Sequence, residues 1–451
     1  MRIENNDTIT AIATARGRGG IGVIRVSGPR TNKICEQILG TKIPARQACL
    51  QKFKEKDGSI IDNGIALFFK GPASYTGEDT LELQGHGGPV VLDMLLKRII
   101  TLGARLAEPG EFTQRAFLND KLDLAQAEAV ADLIDAGTEA AATSAQRSLE
   151  GDFSKHINDL QKQLTHLRLY TESAIDFSDE DIDFLGGEEL EKQIYTIKES
   201  FKTLSNKAKQ GCLLRDGMTV VLVGKPNAGK SSLMNAMAQR EAAIVTEVAG
   251  TTRDILKEKI QIDGMPVHII DTAGLRETDD IIEREGVKRA KQAVSTADHV
   301  LLIVDDQEPY SDSYLESLKD RPKGAPVTTV FNKIDLTGAK PRIKINGEQA
   351  TIKLSAKHNE GLDLLTNHLK ESMGFSSQEK SVFLARRRHL DALARANEFL
   401  NTGVDQLLKN QAGELFAEDL RLAQQALSEI TGKITPDDLL GEIFSSFCIG
   451  K

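Results

Sequence analysis

The segment Gly224-Lys225-Pro226-Asn227-Ala228-Gly229-Lys230-Ser231 (GKPNAGKS) lies between an apolar stretch and a helix-like one. TVVLV precedes it at residues 219–223, and SLMNAMAQ follows at residues 232–239. A GxxxxGKS loop between a buried strand and a helix N-terminus presents backbone N–H groups to phosphates. We expect Lys230 to contact the β- and γ-phosphates and Ser231 to bind Mg²⁺. The stretch therefore predicts an α/β nucleotide-binding domain.

Three further motifs follow predicted strands and predict that the nucleotide is GTP. They are Asp271-Thr272-Ala273-Gly274, Asn332-Lys333-Ile334-Asp335 and Ser355-Ala356-Lys357. Asn332-Lys333-Ile334-Asp335 follows the apolar run 327–331, so Asp335 can accept from N1–H and the exocyclic amine of guanine. Adenine lacks this donor pair, and the carboxylate left unpaired gives strong discrimination. The predicted GTP-binding residues, which include Ser355-Ala356-Lys357 as the second base contact, are Asn227, Ala228, Gly229, Lys230, Ser231, Ser232, Thr246, Glu247, Val248, Ala249, Gly250, Thr251, Thr252, Asp271, Thr272, Ala273, Gly274, Asn332, Lys333, Asp335, Ser355, Ala356 and Lys357.

The residue after Gly274 is Leu275, where Ras-like enzymes carry the glutamine that orients the attacking water. Another group must therefore position the water. Glu283 lies in a predicted helix at residues 282–294, and its carboxylate could orient water directly or through a second water. Glu283 is therefore the candidate for the catalytic carboxylate, although the residues alone would by default make it an ordinary solvated helix glutamate. Arg276 and Glu277, in the predicted loop before this helix, are further candidates.

Asn227 in the phosphate loop faces a predicted loop, TEVAGTT at residues 246–252, that is rich in hydroxyl and carbonyl oxygens. Such a set of oxygens could hold a monovalent cation where other GTPases place the charge of an arginine finger. Thr252 would complete Mg²⁺ coordination with Ser231. The pattern predicts hydrolysis that is accelerated by K⁺ and not by Na⁺.

The pattern of predicted strands and helices changes at three points in the sequence, which predicts a multidomain α/β protein. Residues 1–118 are typical of short strands with one or two helices, and residues 119–215 have apolar residues at helical spacing. Residues 216–375 alternate strands and helices, whereas residues 376–451 are helical again. We expect an α/β unit inserted into one discontinuous all-α domain, because the ends of compact domains often lie close together. Two separate helical domains are the alternative.

Composition excludes several classes of protein. The chain has 57 Lys+Arg and 66 Asp+Glu, a net charge of −9, with 27% charged and 40% hydrophobic residues, which is typical of a folded soluble chain. This acidity argues against coating nucleic acid through bulk charge. We expect the compact basic cluster Arg386-Arg387-Arg388 to belong to a solvated helix face, with contact to RNA as the alternative. The four cysteines are far apart without a CxxC pair, so we expect neither disulfides nor a zinc site, and a cytoplasmic location. No run of residues predicts a membrane span.

Long motifs outside the nucleotide loops carry a resemblance to a known family. They are GRGGIGVIRVSG at 17–28, SYTGEDTLELQGHGGP at 74–89, PGEFTQRAFLNDKLDLAQAEAV at 109–130 and the terminal FCIGK. Together with GKPNAGKSS, AGTTRD and DTAGLRET, their order resembles the MnmE (TrmE) family of tRNA modification GTPases, within the TrmE-Era-EngA-YihA-Septin-like superfamily. The resemblance covers essentially the whole chain.

The resemblance implies a division of labour between domains. A β-rich N-terminal domain (1–118) would bind 5-formyl- or 5,10-methylene-tetrahydrofolate and form a homodimer, and a P-loop GTPase domain (216–375) would be inserted between the two parts of the helical domain (119–215 and 376–451). With its FAD-containing partner MnmG (GidA), in a heterotetramer or larger complex, the family adds an aminomethyl or carboxymethylaminomethyl group at C5 of the wobble uridine of certain tRNAs. The resemblance implies FAD on the partner alone.

The family's functional positions can be placed on this sequence. The folate contacts fall on Arg25, Glu82, Lys121 and Lys451. The K⁺ ligands fall on Asn227, Thr246, Val248 and Thr251, Mg²⁺ on Ser231 and Thr252, and the catalytic carboxylate on Glu283. Cys448, in the terminal FCIGK, would be a functional thiol near the folate, although a small buried residue is the alternative.

Two other interpretations of the motifs fit the sequence less well. A GTP-switched RNA-binding factor in ribosome assembly shares the nucleotide motifs, but the flanks lack a recognisable RNA-binding domain such as KH. Gly17–Gly22 matches GxGxxG, yet a strand-like stretch at residues 23–27 follows it, whereas a dinucleotide site needs a helix there. We therefore expect neither FAD nor NAD on this chain.

Overall fold

The computed structural model describes residues 7–15, 17–176, 187–240, 257–271, 294–308, 318, 321–322, 325–347, 349–375, 382–433 and 437–450. The strands are β1 (Ile9–Ile12), β2 (Gly22–Ser27), β3 (Cys49–Lys54), β4 (Ile60–Phe69), β5 (Thr80–Gly85), β6 (Arg105–Leu106), β7 (Met218–Val223), β8 (Lys257–Ile262), β9 (Met265–Asp271), β10 (His299–Asp305), β11 (Val327–Asn332), β12 (Arg342–Asn346) and β13 (Gln349–Lys353). The helices are α1 (Thr31–Leu39), α2 (Pro89–Thr101), α3 (Glu111–Leu118), α4 (Leu124–Asp135), α5 (Glu139–Leu149), α6 (Asp152–Asp176), α7 (Glu188–Asp216), α8 (Lys230–Arg240), α9 (Ile334–Thr337), α10 (Leu362–Ser372), α11 (Arg387–Asn410), α12 (Gly413–Thr431) and α13 (Asp437–Ser445).

The N-terminal strands form one mixed sheet in the order β3-β4-β5-β2-β1-β6. Neighbouring strands are antiparallel except β1 and β6, which are parallel. One face carries Leu81 and Leu83, which pack with α1 and α2 in the core, because alternate residues of a strand point to the same face. The opposite face is left for Arg25 and Glu82. The described part of residues 1–118 has three helices, α1, α2 and α3, where the sequence pattern predicts one or two.

The helices before and after the α/β segment pack against each other. Helix α6 lies along α12, and Gln161 on α6 donates to the Ser428 hydroxyl on α12 at 2.8 Å. Leu124 on α4 packs with Phe444 on α13 in a further apolar cluster. The helical domain is therefore discontinuous, and the alternative of two separate helical domains is wrong.

The α/β segment forms a seven-stranded sheet in the order β12-β13-β11-β10-β7-β9-β8. The five central strands are parallel, and the outermost strands β8 and β12 are antiparallel to their neighbours. The central strands are buried on both faces, which explains continuous apolar runs such as MTVVLV in β7. Loops after parallel strands meet at one edge of the sheet, so the phosphate loop, Asn332 and Ser355 share that edge.

The chain divides into two compact units. One comprises residues 1–131, 148–197 and 395–451, and the other residues 132–147 and 198–394. Each unit contains one of the two sheets. The multidomain α/β fold expected from the sequence is confirmed. Within the described ranges, no helix combines the length and the apolar character that a membrane crossing requires.

Candidate functional site

The phosphate loop joins the end of β7 to the start of α8. Asn227 has φ 64° and Gly229 has φ 93°, so both residues adopt the left-handed conformation that a tight loop needs. Lys230 is 5% exposed, and its ammonium donates to the carbonyl oxygens of Gly224 and Lys225, each at 2.8 Å. The loop therefore curls around the lysine side chain. Its ammonium lies at the point where a GxxxxGKS loop holds phosphates.

Ser231 and Asp271 meet beside the phosphate loop. The Ser231 hydroxyl donates to Oδ2 of Asp271 at 3.0 Å, and Asp271 is 3% exposed at the end of β9. A hydroxyl and a carboxylate are hard oxygen donors of the kind that Mg²⁺ prefers beside a nucleotide phosphate. The two side chains fit a Mg²⁺ ion held together with the phosphates.

Asn332 connects the phosphate loop to the base-recognition loops. Its side chain is 2% exposed and donates through Nδ2 to the carbonyl oxygen of Ala228 at 3.2 Å. Its Oδ1 accepts from the backbone N–H groups of Lys333 at 2.8 Å and Ala356 at 3.0 Å. A side chain at Gly229 would lie 2.2 Å from Asn332 Nδ2, so this glycine is required sterically. Three loops predicted separately from the sequence are therefore joined by one amide.

Asp335 is oriented by Ser355. The Ser355 hydroxyl donates to Oδ1 of Asp335 at 2.6 Å, and His358 Nε2 lies 3.8 Å from Oδ2. The hydrogen bond from Ser355 holds the pKa of Asp335 below its usual value. The carboxylate is thus ionised at neutral pH and fixed on one side. A charged acceptor in this position suits the paired donors of guanine.

Two carboxylates that sequence reasoning missed support the base site. Asp305 accepts from Lys333 Nζ at 2.7 Å, and Asp306 accepts from Lys353 Nζ at 2.5 Å and from the Thr337 hydroxyl at 2.6 Å. Asp305 is the last residue of β10 and Asp306 follows it, so both acids lie at the same edge of the sheet as Asn332. The signal was an Asp-Asp pair following the buried run VLLIV. The pair with Asp305 positions Lys333, which has φ 66°, and the pair with Asp306 positions Lys353.

Several predicted site residues lie outside the described residues. They are Thr246, Glu247, Val248, Ala249, Gly250, Thr251, Thr252, Thr272, Ala273, Gly274, Arg276, Glu283 and Lys451. Of the predicted K⁺ ligands, the described part of the chain includes Asn227. Of the predicted Mg²⁺ ligands, it includes Ser231.

Arg25 and Glu82 form a close ion pair on the N-terminal sheet. They are direct cross-strand partners on β2 and β5, and Arg25 Nε and Nη2 donate to Glu82 Oε1 at 3.0 and 2.9 Å. The guanidinium carbon lies 5.3 Å from the ring centroid of Tyr75 and 5.7 Å from that of Phe112. Both bonds reach the same carboxylate oxygen, which leaves Oε2 able to accept from a ligand. The pair fits a heteroaromatic ligand with an N–H edge.

A buried ion network lies on α3 and the segments around it. Arg115 is fully buried and donates to Glu111 at 2.9 Å, to Asp7 at 2.6 Å and to Glu78 at 3.2 Å. Burial would raise the pKa of Glu111, but hydrogen bonds, first from Arg105, hold it below its usual value. Buried charges need such partners. The network fixes the segments that precede Lys121, whose side chain is exposed after α3.

The C-terminal tail lies against the N-terminal sheet. A methyl group at Gly450 would be 2.5 Å from the carbonyl oxygen of Ile12, and the Gly110 N–H donates to the Cys448 carbonyl at 3.3 Å. Ile12 ends β1, whose neighbour Ala11 pairs with Arg25 on β2. The tail therefore reaches the strand pair that carries Arg25.

Cys448 differs from the other cysteines in its exposure. Its side chain is exposed, whereas Cys35 and Cys212 are buried and Cys49 is half-buried. Burial raises the pKa of Cys35 to about 11 and that of Cys212 to about 12. Those two thiols are therefore protonated and inaccessible at neutral pH. The alternative that Cys448 is a buried small residue does not hold.

Two minor expectations have clear outcomes. Strand β2 begins at Gly22, so GxGxxG at 17–22 leads into a strand and the dinucleotide interpretation is rejected on this ground. In the basic cluster, Arg386 is 15% exposed and donates to Asp132 Oδ1 at 2.7 Å. It is a structural ion pair rather than part of a solvated helix face.

Family models and a curated relative that match this chain carry the same description, MnmE or TrmE. The family model described as MnmE helical domain matches residues 124–448, and the model described as GTP-binding protein TrmE N-terminus matches residues 8–121. The chain is similar to the tRNA modification GTPase MnmE of Hydrogenovibrio crunogenus, with 56% identity over 451 residues and 100% of both chains covered.

Solved structures show a more distant likeness. Aquifex aeolicus Era bound to GDP and AlF4⁻ has 24% identity and a TM-score of 0.27, with 41% of this chain and 67% of Era covered. The G domain of the T. maritima FeoB iron transporter has 24% identity and a TM-score of 0.25, with 35% and 96% covered. These TM-scores are too low to carry an argument.

Proposed function

The chain belongs to the MnmE family of tRNA modification GTPases, and on this premise we propose that it hydrolyses GTP to drive modification of tRNA. Together with the FAD protein MnmG, it would add an aminomethyl or carboxymethylaminomethyl group at C5 of the wobble uridine of certain tRNAs. One observation carries the proposal. Asn332 joins the phosphate loop to the loop of Ala356, and the Ser355 hydroxyl donates to Asp335, the carboxylate that we propose accepts from guanine.

The proposed hydrolysis step requires a group that orients water, because Leu275 replaces the usual glutamine. We assign this role to Glu283, with Arg276 as an additional candidate. K⁺ held by Asn227, Thr246, Val248 and Thr251 would supply positive charge next to the transferring phosphate. Mg²⁺ held by Ser231 and Thr252 would neutralise the β- and γ-phosphates.

We propose that the N-terminal domain binds 5-formyl- or 5,10-methylene-tetrahydrofolate, which when bound supplies the one-carbon unit. Glu82 would accept from the N–H edge of the pterin, and Arg25 would hold that carboxylate in place. Lys121 and Lys451 would face the anionic glutamate tail. Two observations support a role for Cys448 near this site. Its side chain is exposed, and Gly450, two residues further on, lies against the carbonyl oxygen of Ile12.

The proposed complex follows the family. The N-terminal domains would form the homodimer, and MnmG would join in a heterotetramer or larger complex in the cytoplasm. The family match favours tRNA modification over ribosome assembly, because both flanking domains match MnmE models.

Nucleoside mass spectrometry on tRNA tests this function. Cells that lack the protein should lose the modified wobble uridine, and the wild-type chain should restore it. Glu82→Gln, which keeps the shape but removes the charge, should fail to restore it while keeping GTP turnover. An intact wobble profile in the deleted cells would contradict the proposal.

A further inference from the structure

A polar groove runs between α6 and α12 in the helical region. It encloses about 320 Å³. Helix α6 contributes Gln161, Thr165 and Arg168. These residues lie on one face, because residues three and four apart are neighbours on a helix. The groove is distinct from the nucleotide loops and from the Arg25–Glu82 pair.

Helix α12 contributes an equally polar face. Its lining residues are Arg421, Gln424, Gln425 and Ser428, again at helical spacing. Two packed helices normally meet through apolar side chains. Here the residues on both sides of the groove are polar.

The lining is held in order by hydrogen bonds across the groove. Arg168 Nη1 donates to Gln424 Oε1 at 2.7 Å, and Gln424 Nε2 donates to the Thr165 hydroxyl at 2.6 Å. Gln161 Nε2 donates to the Ser428 hydroxyl at 2.8 Å. The groove is thus a preorganised surface rather than a gap between mobile side chains, and preorganisation lowers the entropic cost of binding.

The lining carries two positive charges and no carboxylate. Arg168 pairs with Glu172 at 3.3 Å and Arg421 with Glu418 at 2.8 Å, and both acids are about half exposed outside the lining. Each arginine of the lining is thus paired with a carboxylate that lies outside the lining. The Arg421–Glu418 pair is exposed, and exposed ion pairs are weak enough for an anionic ligand to replace the glutamate.

The residue types in the groove match those that contact a nucleic-acid backbone. Phosphate and sugar oxygens are bound mainly by Arg, Lys, Ser, Thr, Asn and Gln side chains. The groove has only arginine, glutamine, serine and threonine. It lacks the aromatic platforms that hold stacked bases.

We infer that this groove binds the sugar–phosphate backbone of the tRNA substrate. The inference rests on the proposed function, which makes tRNA the substrate, and adds where on this chain the RNA is held. An acidic protein partner is the competing occupant, and tRNA binding that is unaltered in the groove variants described below would favour it over tRNA.

The test compares two arginines of matched exposure. Arg421 lines the groove, is 50% exposed and pairs with Glu418, whereas Arg395 lies outside it, is 48% exposed and pairs with Glu429. Fluorescence anisotropy with labelled, unmodified tRNA measures the affinity of each full-length variant across a salt series. Arg421→Gln should weaken binding about five- to tenfold at 0.1 M salt and reduce the slope of log K against log salt by about 1, whereas Arg395→Gln should change neither.

A second variant adds a negative charge to the groove and leaves the hydrogen bonds across it in place. Gln425→Glu places a carboxylate on the exposed wall of the groove and should weaken tRNA binding at least as much as Arg421→Gln. Equal losses in Arg421→Gln and Arg395→Gln, or unaltered binding in both Arg421→Gln and Gln425→Glu, would overturn the inference. So would a wild-type chain that binds no tRNA. GTP turnover without RNA should be unchanged in all variants. A loss of tRNA affinity with normal turnover would therefore be an effect on the groove, whereas a loss of turnover would be an effect on GTP hydrolysis.

Discussion

Asn332 Nδ2 donates to the carbonyl oxygen of Ala228 at 3.2 Å, so the first residue of the base-recognition motif also holds the phosphate loop. The same amide accepts from the Ala356 N–H at 3.0 Å. Because the Asn332 side chain is buried, water cannot replace any hydrogen bond that it loses. Base recognition and phosphate binding are therefore coupled through one residue.

This coupling predicts that Asn332→Ala weakens nucleotide binding and the domain together. The change leaves the Ala356 N–H and the Ala228 carbonyl without their partner, which costs about 1–3 kcal/mol for each buried group. We expect GDP and GTP affinity to fall more than tenfold, with a lower unfolding temperature. Fluorescent-nucleotide titration and thermal unfolding measure the two effects. Asn346→Ala, on the exposed strand β12, is the control and should alter neither.

A second prediction concerns base identity. Asp335→Asn replaces a double acceptor by a group with one acceptor and one donor, which matches xanthine better than guanine. We expect the preference between GTP and XTP to reverse, as measured by competition binding. Asp363→Asn makes the same charge change at an exposed position in the first turn of α10 and should keep guanine preference. Persistent guanine selectivity in Asp335→Asn would contradict the assignment of this carboxylate.

Much of the nucleotide-binding domain could be predicted because its motifs are short and local. GKPNAGKS and Asn332-Lys333-Ile334-Asp335 each follow a buried strand, and parallel strands bring their ends to one edge. The contact between Asn332 and Ala228 joins residues more than 100 positions apart, so no local pattern contains it. The ion network of Arg115 was missed for the same reason, since a single arginine at helical spacing is typical of a surface residue.

Potassium dependence is the third prediction. If Asn227 and the loop at residues 246–252 hold a monovalent cation next to the phosphates, turnover in KCl should exceed turnover in NaCl at equal ionic strength. Na⁺ is smaller and fits a site built for K⁺ poorly. The measurement is phosphate release at saturating GTP in each salt. Asn227→Ala should abolish the difference, and equal wild-type rates in the two salts would remove the cation from the mechanism.

A fourth prediction separates binding from hydrolysis. Glu283→Ala removes the carboxylate assigned to the water but no group assigned to the nucleotide. GTP affinity should therefore stay within about twofold, while turnover falls by 10²-fold or more, as is typical for loss of a general base. Glu285→Ala makes the same change two positions along the chain and should retain turnover. Single-turnover phosphate release and nucleotide titration give the two quantities.

The last prediction concerns the pH dependence of stability. His299 is fully buried on β10, and the Thr328 hydroxyl lies 2.8 Å from Nε2 of both His299 and His368. The Ser372 hydroxyl lies 3.1 Å from His299 Nδ1. Burial, with His368 beside it, lowers the pKa of His299 from 6.5 to about 4. The folded protein therefore resists a proton that the unfolded chain accepts.

The sign of the effect follows from this difference. Above pH 6.5 the imidazole is neutral in both states and contributes no pH dependence, whereas between pH 6.5 and 4 the unfolded state binds the extra proton and stability falls as the pH falls. The loss approaches roughly 3 kcal/mol at pH 4 and does not grow below it. His299→Gln should flatten this slope, as measured by hydrogen exchange of the β10 and β11 amides at several pH values. His166→Gln, at an exposed site on α6, should leave the slope unchanged, and a slope of equal size in His299→Gln would show that another group titrates.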